Sequence, residues 1–258
     1  MRVRAHRSSG DVVARKVTRE RFDAVLFDLD GVVTSTAAVH MAAWKRVFDA
    51  FLDGAAPGQG IDRRAFGERD YRVYVDGKPR YDGVRGFLAS RGVTLPEGGP
   101  GDPPGGETVC GLGNRKNELF RAELDTRGAR AFPSTVRWIR ELRRQGFKTA
   151  VVTASRNGTA VLAATGLADQ FDVVLDGNEA ARLRLAGKPA PDTYVAAART
   201  LGAEKRRAVV VEDAIAGVRA GRDGGFGLVI GVAGPDDTDE MVDNGADVVV
   251  ADLSEMAG

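Results

Sequence analysis

The sequence predicts a doubly wound α/β fold, a parallel sheet with helices on both faces, and a mainly helical segment inserted after the first strand. Three observations carry this. Short β-branched runs recur along the chain, each closed by a polar or glycine turn. These runs are continuously apolar rather than alternating, which marks strands buried on both faces. Helical patterns lie between most of them, and strand–helix alternation builds parallel sheets.

Taken in order, AVLFD (24–28) is the first strand. Residues 37–130 then break the rhythm. AAVHMAAWKRVFDAFL, YDGVRGFLASRG and GNRKNELFRAEL read as helices, with no comparable strand run among them. PEGGPGDPPGGE (96–107) reads as a mobile or extended Pro/Gly loop. The strand runs resume with KTAVVT (148–153), FDVVLD (171–176), RAVVVED (207–213), GLVIGV (227–232) and ADVVVAD (246–252). Helical stretches fall at 134–145, 157–166, 191–201 and 214–223. The expected organisation is a Rossmann-like core of residues 21–36 and 131–258, a helical cap of 37–130, and a loosely ordered N-terminal extension of 1–20.

Composition narrows the function. The chain has 258 residues, enough for a sizeable core. Lys+Arg number 37 against 36 Asp+Glu, so no global field steers the protein toward nucleic acid or an acidic membrane. No apolar stretch reaches the ~20 residues of a membrane span, and the basic N-terminus lacks the apolar segment of a secretory signal. The single cysteine, Cys110, cannot form an internal disulfide and suits a reducing cytosol. The expectation is a cytoplasmic, monomeric protein with a small-molecule substrate.

Ligands of open α/β sheets bind beyond the carboxyl ends of the strands. Asp28 and Asp30 follow the first strand, and Thr153 ends the second, followed by ASRNG. Glu212 and Asp213 end the VVVED strand, and Lys188 sits in GKPAPD before a helix. Each has a structural alternative: an Asp–Gly turn at Asp30–Gly31, helix caps at Glu212, Asp213, Thr153 or Ser155, a solvated lysine at Lys188. Their convergence on one sheet edge changes the weighing. Two carboxylates ~4 Å apart repel by about 4 kcal/mol at an effective dielectric near 20, so four together call for a cation. Oxygen ligands select a hard ion such as Mg2+, which tolerates substrate phosphate in its shell. A lysine and a hydroxyl beside it suit a transferring phosphoryl group, and a carboxylate is then the natural nucleophile. GLGNRKN (111–117) begins like a dinucleotide fingerprint, but Lys116 stands where the third glycine belongs.

DLDGVVT, the Thr153 strand end, GKPAPD and VVVEDA, in this order, resemble the motifs of the haloacid dehalogenase superfamily. That resemblance implies Asp28 as the nucleophile that forms an aspartyl phosphate and Asp30 as general acid/base. It implies Thr153 and Lys188 on the phosphoryl oxygens. Mg2+ would lie on the Asp28 carboxylate, the Asp30 carbonyl, Glu212 and Asp213. DLDGVVTSTAAVHMAAW, VDGKPRYDGV, RKN and TASRNG look like the β-phosphoglucomutase branch. The implied substrate contacts are Thr36, His40 and Trp44 on the hinge and first cap helix, and Arg80 and Lys116 on the cap. Ser155, Arg156 and Asn157 would contact the distal phosphate. The implied reaction converts β-glucose 1-phosphate to glucose 6-phosphate, with glucose 1,6-bisphosphate as intermediate and activator. A sugar-phosphate phosphatase and a non-catalytic phosphometabolite-binding protein are the alternatives. Three positions depart from the branch: Ser35 where many relatives are acidic, Ala214 where Ser is frequent, and Gly83 where some have Ser.

Overall fold

The structure is a computed structural model that describes residues 16–54 and 61–257. Most of the expected N-terminal extension, through residue 15, lies outside the described residues. Residues 16–20 pack onto the fold: Val17 joins the core cluster, and Arg207 donates to the carbonyls of Arg19 and Glu20.

The chain runs β1 (Ala24–Phe27) and α1 (Ala37–Gly54), then a helical turn Glu68–Asp70 that passes into a π-helical turn, Tyr71–Val75. α2 (Arg80–Ser90), α3 (Val109–Arg127) and α4 (Pro133–Arg144) follow. The sheet resumes with β2 (Lys148–Val152), α5 (Gly158–Thr165), β3 (Val173–Leu175), α6 (Gly177–Arg182) and α7 (Asp192–Thr200). It closes with β4 (Ala208–Glu212), α8 (Ile215–Asp223), β5 (Leu228–Val232), α9 (Thr238–Asp243) and β6 (Val248–Val250). All strand pairs are parallel, in the order β3-β2-β1-β4-β5-β6. The order reverses at β1, and the crevice at its carboxyl end is where such sheets bind ligands.

Side chains of β1 alternate between two packed faces, as the strand period of two requires. Val25 and Phe27 meet Trp138, Ile139 and Leu142 of α4, and Ala24 and Leu26 meet Tyr194, Ala197 and Ala198 of α7. α4 starts with Pro133 at its first turn and ends in Arg143 and Arg144, an arrangement that suits both helix termini. The helices between Ala37 and Arg127 have their own aromatic centre, with Phe48 and Phe87 rings 4.0 Å apart and Trp44, Phe66 and Leu112 around them.

One expectation needs correction, and two helices lie outside the expected elements. Residues 96–107 are not an extended excursion but a series of turns. Asp102 N donates to Gly99 O and Gly106 N to Pro103 O, Thr108 Oγ1 donates to Asp102 Oδ2, and Asn114 Nδ2 holds the Pro100 and Asp102 carbonyls. The short helices α6 and α9 were not expected. α6 rests on Asp176, whose carboxylate caps the N–H groups of Asn178 and Glu179.

Candidate active site

β1 delivers Asp28 to the sheet edge, and Asp30 N turns back to donate to Asp28 Oδ2 at 2.9 Å. Gly31 makes this turn possible. Its φ is +104°, and a Cβ there would lie 1.7 Å from Asp213 Oδ2. Lys188 Nζ reaches Asp28 Oδ1 and Glu212 Oε1, both at 2.5 Å, and Val152 O at 3.0 Å, which uses all three of its donors. Burial would lower the Lys188 pKa, but its two carboxylates outweigh that and raise it. Burial pushes Asp28 well above the usual carboxylate range, with Lys188 opposing, and pushes Asp213 up with Asp76 and Asp28 adding to the effect.

Ligand oxygens of Asp28, Glu212 and Asp213 lie within 4.8 Å of one another. An all-oxygen set in which burial and mutual repulsion drive Asp28 and Asp213 toward protonation fits a hard divalent cation. Glu212 also has a task that the sequence did not show. It is fully buried; Oε1 accepts from Lys188 and, at 2.6 Å, from the Tyr194 hydroxyl, while Oε2 accepts from Ala214 N. Gly217 leaves room for it, since a Cβ there would fall 1.8 Å from Oε1.

Asp30 sits in a second network. Oδ1 accepts from the Thr36 hydroxyl and lies 3.3 Å from His40 Nε2, and Oδ2 lies 3.3 Å from Thr153 Oγ1. His40 Nδ1 meets Lys116 Nζ. Burial raises Asp30, but His40, Thr36 and Lys116 outweigh it and hold the group down to about 2. Burial and Lys116 lower His40, and burial with Arg80 lowers Lys116 to about 7. A neutral His40 with its proton on Nε2 faces Asp30 and leaves Nδ1 to accept from Lys116. The Lys116 ammonium lies 5.0 Å from the Trp44 ring and 5.1 Å from that of Phe120.

The remaining wall follows β2. Ser155 N donates to Thr153 Oγ1 at 3.0 Å and Asn157 N to Ser155 Oγ at 3.2 Å. Asn117 Oδ1 accepts from Arg80 Nη2 and Asn157 Nδ2, and the Arg156 guanidinium lies 5.4 Å from the Tyr81 ring. Asp28, Asp30, His40, Trp44, Arg80, Lys116, Thr153, Ser155, Arg156, Asn157 and Asp213 thus line one chamber. Thr36 is buried behind Asp30, Glu212 is buried behind Lys188, and Lys188 opens into the adjoining cavity. Tyr71 and Asp76 line the chamber as well, and the sequence reading missed them along with Asn117 and Tyr194. Asn117 closes the RKN run, and Asp76 begins the Asp–Gly turn of VDGKPR, so both had a faint local signal.

The fold and this site define an enzyme class. The model of the haloacid dehalogenase-like hydrolase family matches residues 22–225, and the chain belongs to that family. It is 44% identical to the β-phosphoglucomutase of Mycobacterium tuberculosis over 241 residues, 92% of each chain. Over 127 residues, 48% of this chain and 28% of the other, it is 43% identical to the trehalose-phosphate phosphatase of Mycobacterium leprae. The crystal structure of a β-phosphoglucomutase from Clostridium difficile superposes with a TM-score of 0.71 over 91% of this chain and 93% of that one, at 22% identity. The chain is therefore an enzyme of a superfamily whose members include phosphomutases and phosphatases. No helix among the described residues is long and apolar enough to cross a membrane.

Proposed function

We propose that the chain is a β-phosphoglucomutase. It would interconvert β-glucose 1-phosphate and glucose 6-phosphate through β-glucose 1,6-bisphosphate, by way of an aspartyl phosphate at Asp28. The core of 21–36 and 131–258 would carry the phosphoryl chemistry, and the cap of 37–130 would close over the sugar. The observation that carries this reading is the second cationic wall: Arg80 and Arg156 line the same chamber as Asp28, with Asn117 joining Arg80 to Asn157. A mutase must hold one phosphate at the nucleophile and another elsewhere, and a guanidinium fork suits the second. A phosphatase needs no such site.

In this reading Asp28 attacks phosphorus while Lys188 and Thr153 take up charge on the transferring oxygens. Asp28, Glu212, Asp213 and the Asp30 carbonyl would hold Mg2+, which when bound neutralises phosphoryl oxygen charge. Glu212 anchors Lys188. Asp30 rests ionised, so it is ready as a base: it takes the proton of a sugar hydroxyl as that oxygen attacks the phosphorylated Asp28, then returns it to the leaving oxygen in the second half-reaction. His40 ties Asp30 to the cap, so the base is fully placed when water is excluded.

The trehalose-phosphate phosphatase relative supports the second reading, a sugar-phosphate phosphatase on the same scaffold. A non-catalytic phosphometabolite-binding protein has no use for Asp28 and Asp30. One time course with β-glucose 1-phosphate, Mg2+ and a trace of glucose 1,6-bisphosphate tests these readings. Glucose 6-phosphate forming with little free phosphate is expected; free phosphate equal to substrate lost would make the protein a phosphatase, and no Mg2+-dependent turnover of any phosphosugar would revive the binding protein.

A further inference from the structure

Among the described residues, Asp76 is the one carboxylate of the chamber that the cap supplies; Asp28, Asp30 and Asp213 all come from the ends of β1 and β4. It follows the π-helical turn Tyr71–Val75 and leaves it in extended conformation, a kind of helical irregularity that often marks function. The next residue, Gly77, has φ +69°, and a Cβ there would stand 3.0 Å from the Ala214 Cβ. The cap loop therefore meets the core one residue beyond Asp213, and this contact sets Asp76 into the chamber.

The groups around Asp76 do not explain it. The Tyr71 hydroxyl donates to it, while Asp213, Asp30 and Glu212 repel it and Lys188 attracts it. An acid added to such a group costs stability unless a ligand uses it. Phosphate does not fit against it, because like charges repel. The neutral, hydroxyl-bearing part of a phosphosugar does, because a carboxylate accepts from O–H donors. The chamber thus holds cations for phosphate at Arg80 and Arg156, and an acceptor for the ring at Asp76.

Resting on the reading of the chamber as a phosphosugar site, we propose that Asp76 is a specificity-determining residue that accepts a hydrogen bond from one ring hydroxyl of the substrate when the cap is closed. The same carboxylate keeps a phosphate off that wall and so helps fix which way the substrate lies.

The test compares wild type with Asp76→Asn and Asp76→Ala, on β-glucose 1-phosphate and on its analogues lacking one ring hydroxyl. Wild type should disfavour one analogue by about ten- to a hundredfold in kcat/KM, the worth of a hydrogen bond to a charged acceptor. In Asp76→Ala that discrimination should collapse to less than about threefold, and in Asp76→Asn, which keeps a neutral acceptor, it should fall to roughly two- to tenfold, with the preferences at other hydroxyls retained in both. Equal discrimination in wild type and variants overturns the proposal. So does a loss that is uniform across the analogues and reversed by added Mg2+, which would put Asp76 on the metal. Calorimetric binding of the same phosphosugars separates this from the reaction itself. A wild type that binds and discriminates through Asp76 but releases free phosphate removes the mutase reading and leaves Asp76 in place.

Discussion

The side-chain amide of Asn157 donates to Asn117 Oδ1 across 2.8 Å, joining the loop after β2 to helix α3. Arg80 Nη2 donates to the same oxygen at 2.7 Å, so one amide oxygen holds both the loop after β2 and the guanidinium. Asn117→Ala removes both bonds and leaves every ionisable group in place. The expected result is roughly a tenfold loss of kcat/KM for β-glucose 1-phosphate, with a larger share of the phosphoryl group released as free phosphate. Simultaneous assay of glucose 6-phosphate and phosphate checks it; an unchanged ratio would detach Asn117 from closure.

Asp28→Asn removes the proposed nucleophile but keeps an acceptor for Lys188 Nζ, which lies 2.5 Å from Asp28 Oδ1. Turnover should fall at least about a thousandfold, as expected when a covalent step is lost. Thermal unfolding should show no matching loss, because the change also relieves repulsion from Glu212 and Asp30. Substantial turnover in this variant would move the nucleophile elsewhere.

Gly31 and Asp213 test the metal reading. Gly31→Ala places a Cβ where Asp213 Oδ2 now lies and strains a positive φ, so the carboxylate must shift. Chelation should abolish wild-type activity and Mg2+ should restore it. In Gly31→Ala and Asp213→Asn the Mg2+ concentration for half-maximal activity should rise on the order of tenfold or more. Mg2+ should also raise the melting temperature of wild type more than that of Asp213→Asn. Equal shifts in both proteins would count against Asp213 as a ligand.

What the sequence made legible was the part governed by local pattern. The apolar runs at β1, β2 and β4 admit little besides buried strands, and a parallel sheet then places Asp28, Thr153 and Glu212 on one edge. The sequence could not display contacts made between distant segments. Tyr194 looks like an ordinary core ring of α7 until its hydroxyl meets Glu212, 18 positions away. Asp76 follows a short π-helical turn that leaves no amphipathic repeat to read. The turns of 96–107 depend on the Thr108–Asp102 and Asn114 bonds, where composition alone suggests an extended loop.

Lys116 gives a pH signature independent of turnover. Buried among Trp44, Phe120 and His40, it has a pKa of about 7 in the folded protein, against about 10.4 in an unfolded chain. Between these values the unfolded chain carries a proton that the folded chain lacks, so a rise in pH favours the folded state. The limit is about 1.4 kcal/mol per pH unit. Below pH 7 both states are protonated and the effect is flat. Lys116→Met has no such group. Denaturant unfolding at pH 7 and pH 9 should therefore find Lys116→Met more stable than wild type at pH 7, with a gap about 2 kcal/mol smaller at pH 9. A gap that does not change with pH would mean that Lys116 keeps its proton in the folded protein, paired more closely with Asp30 than the His40 contact implies.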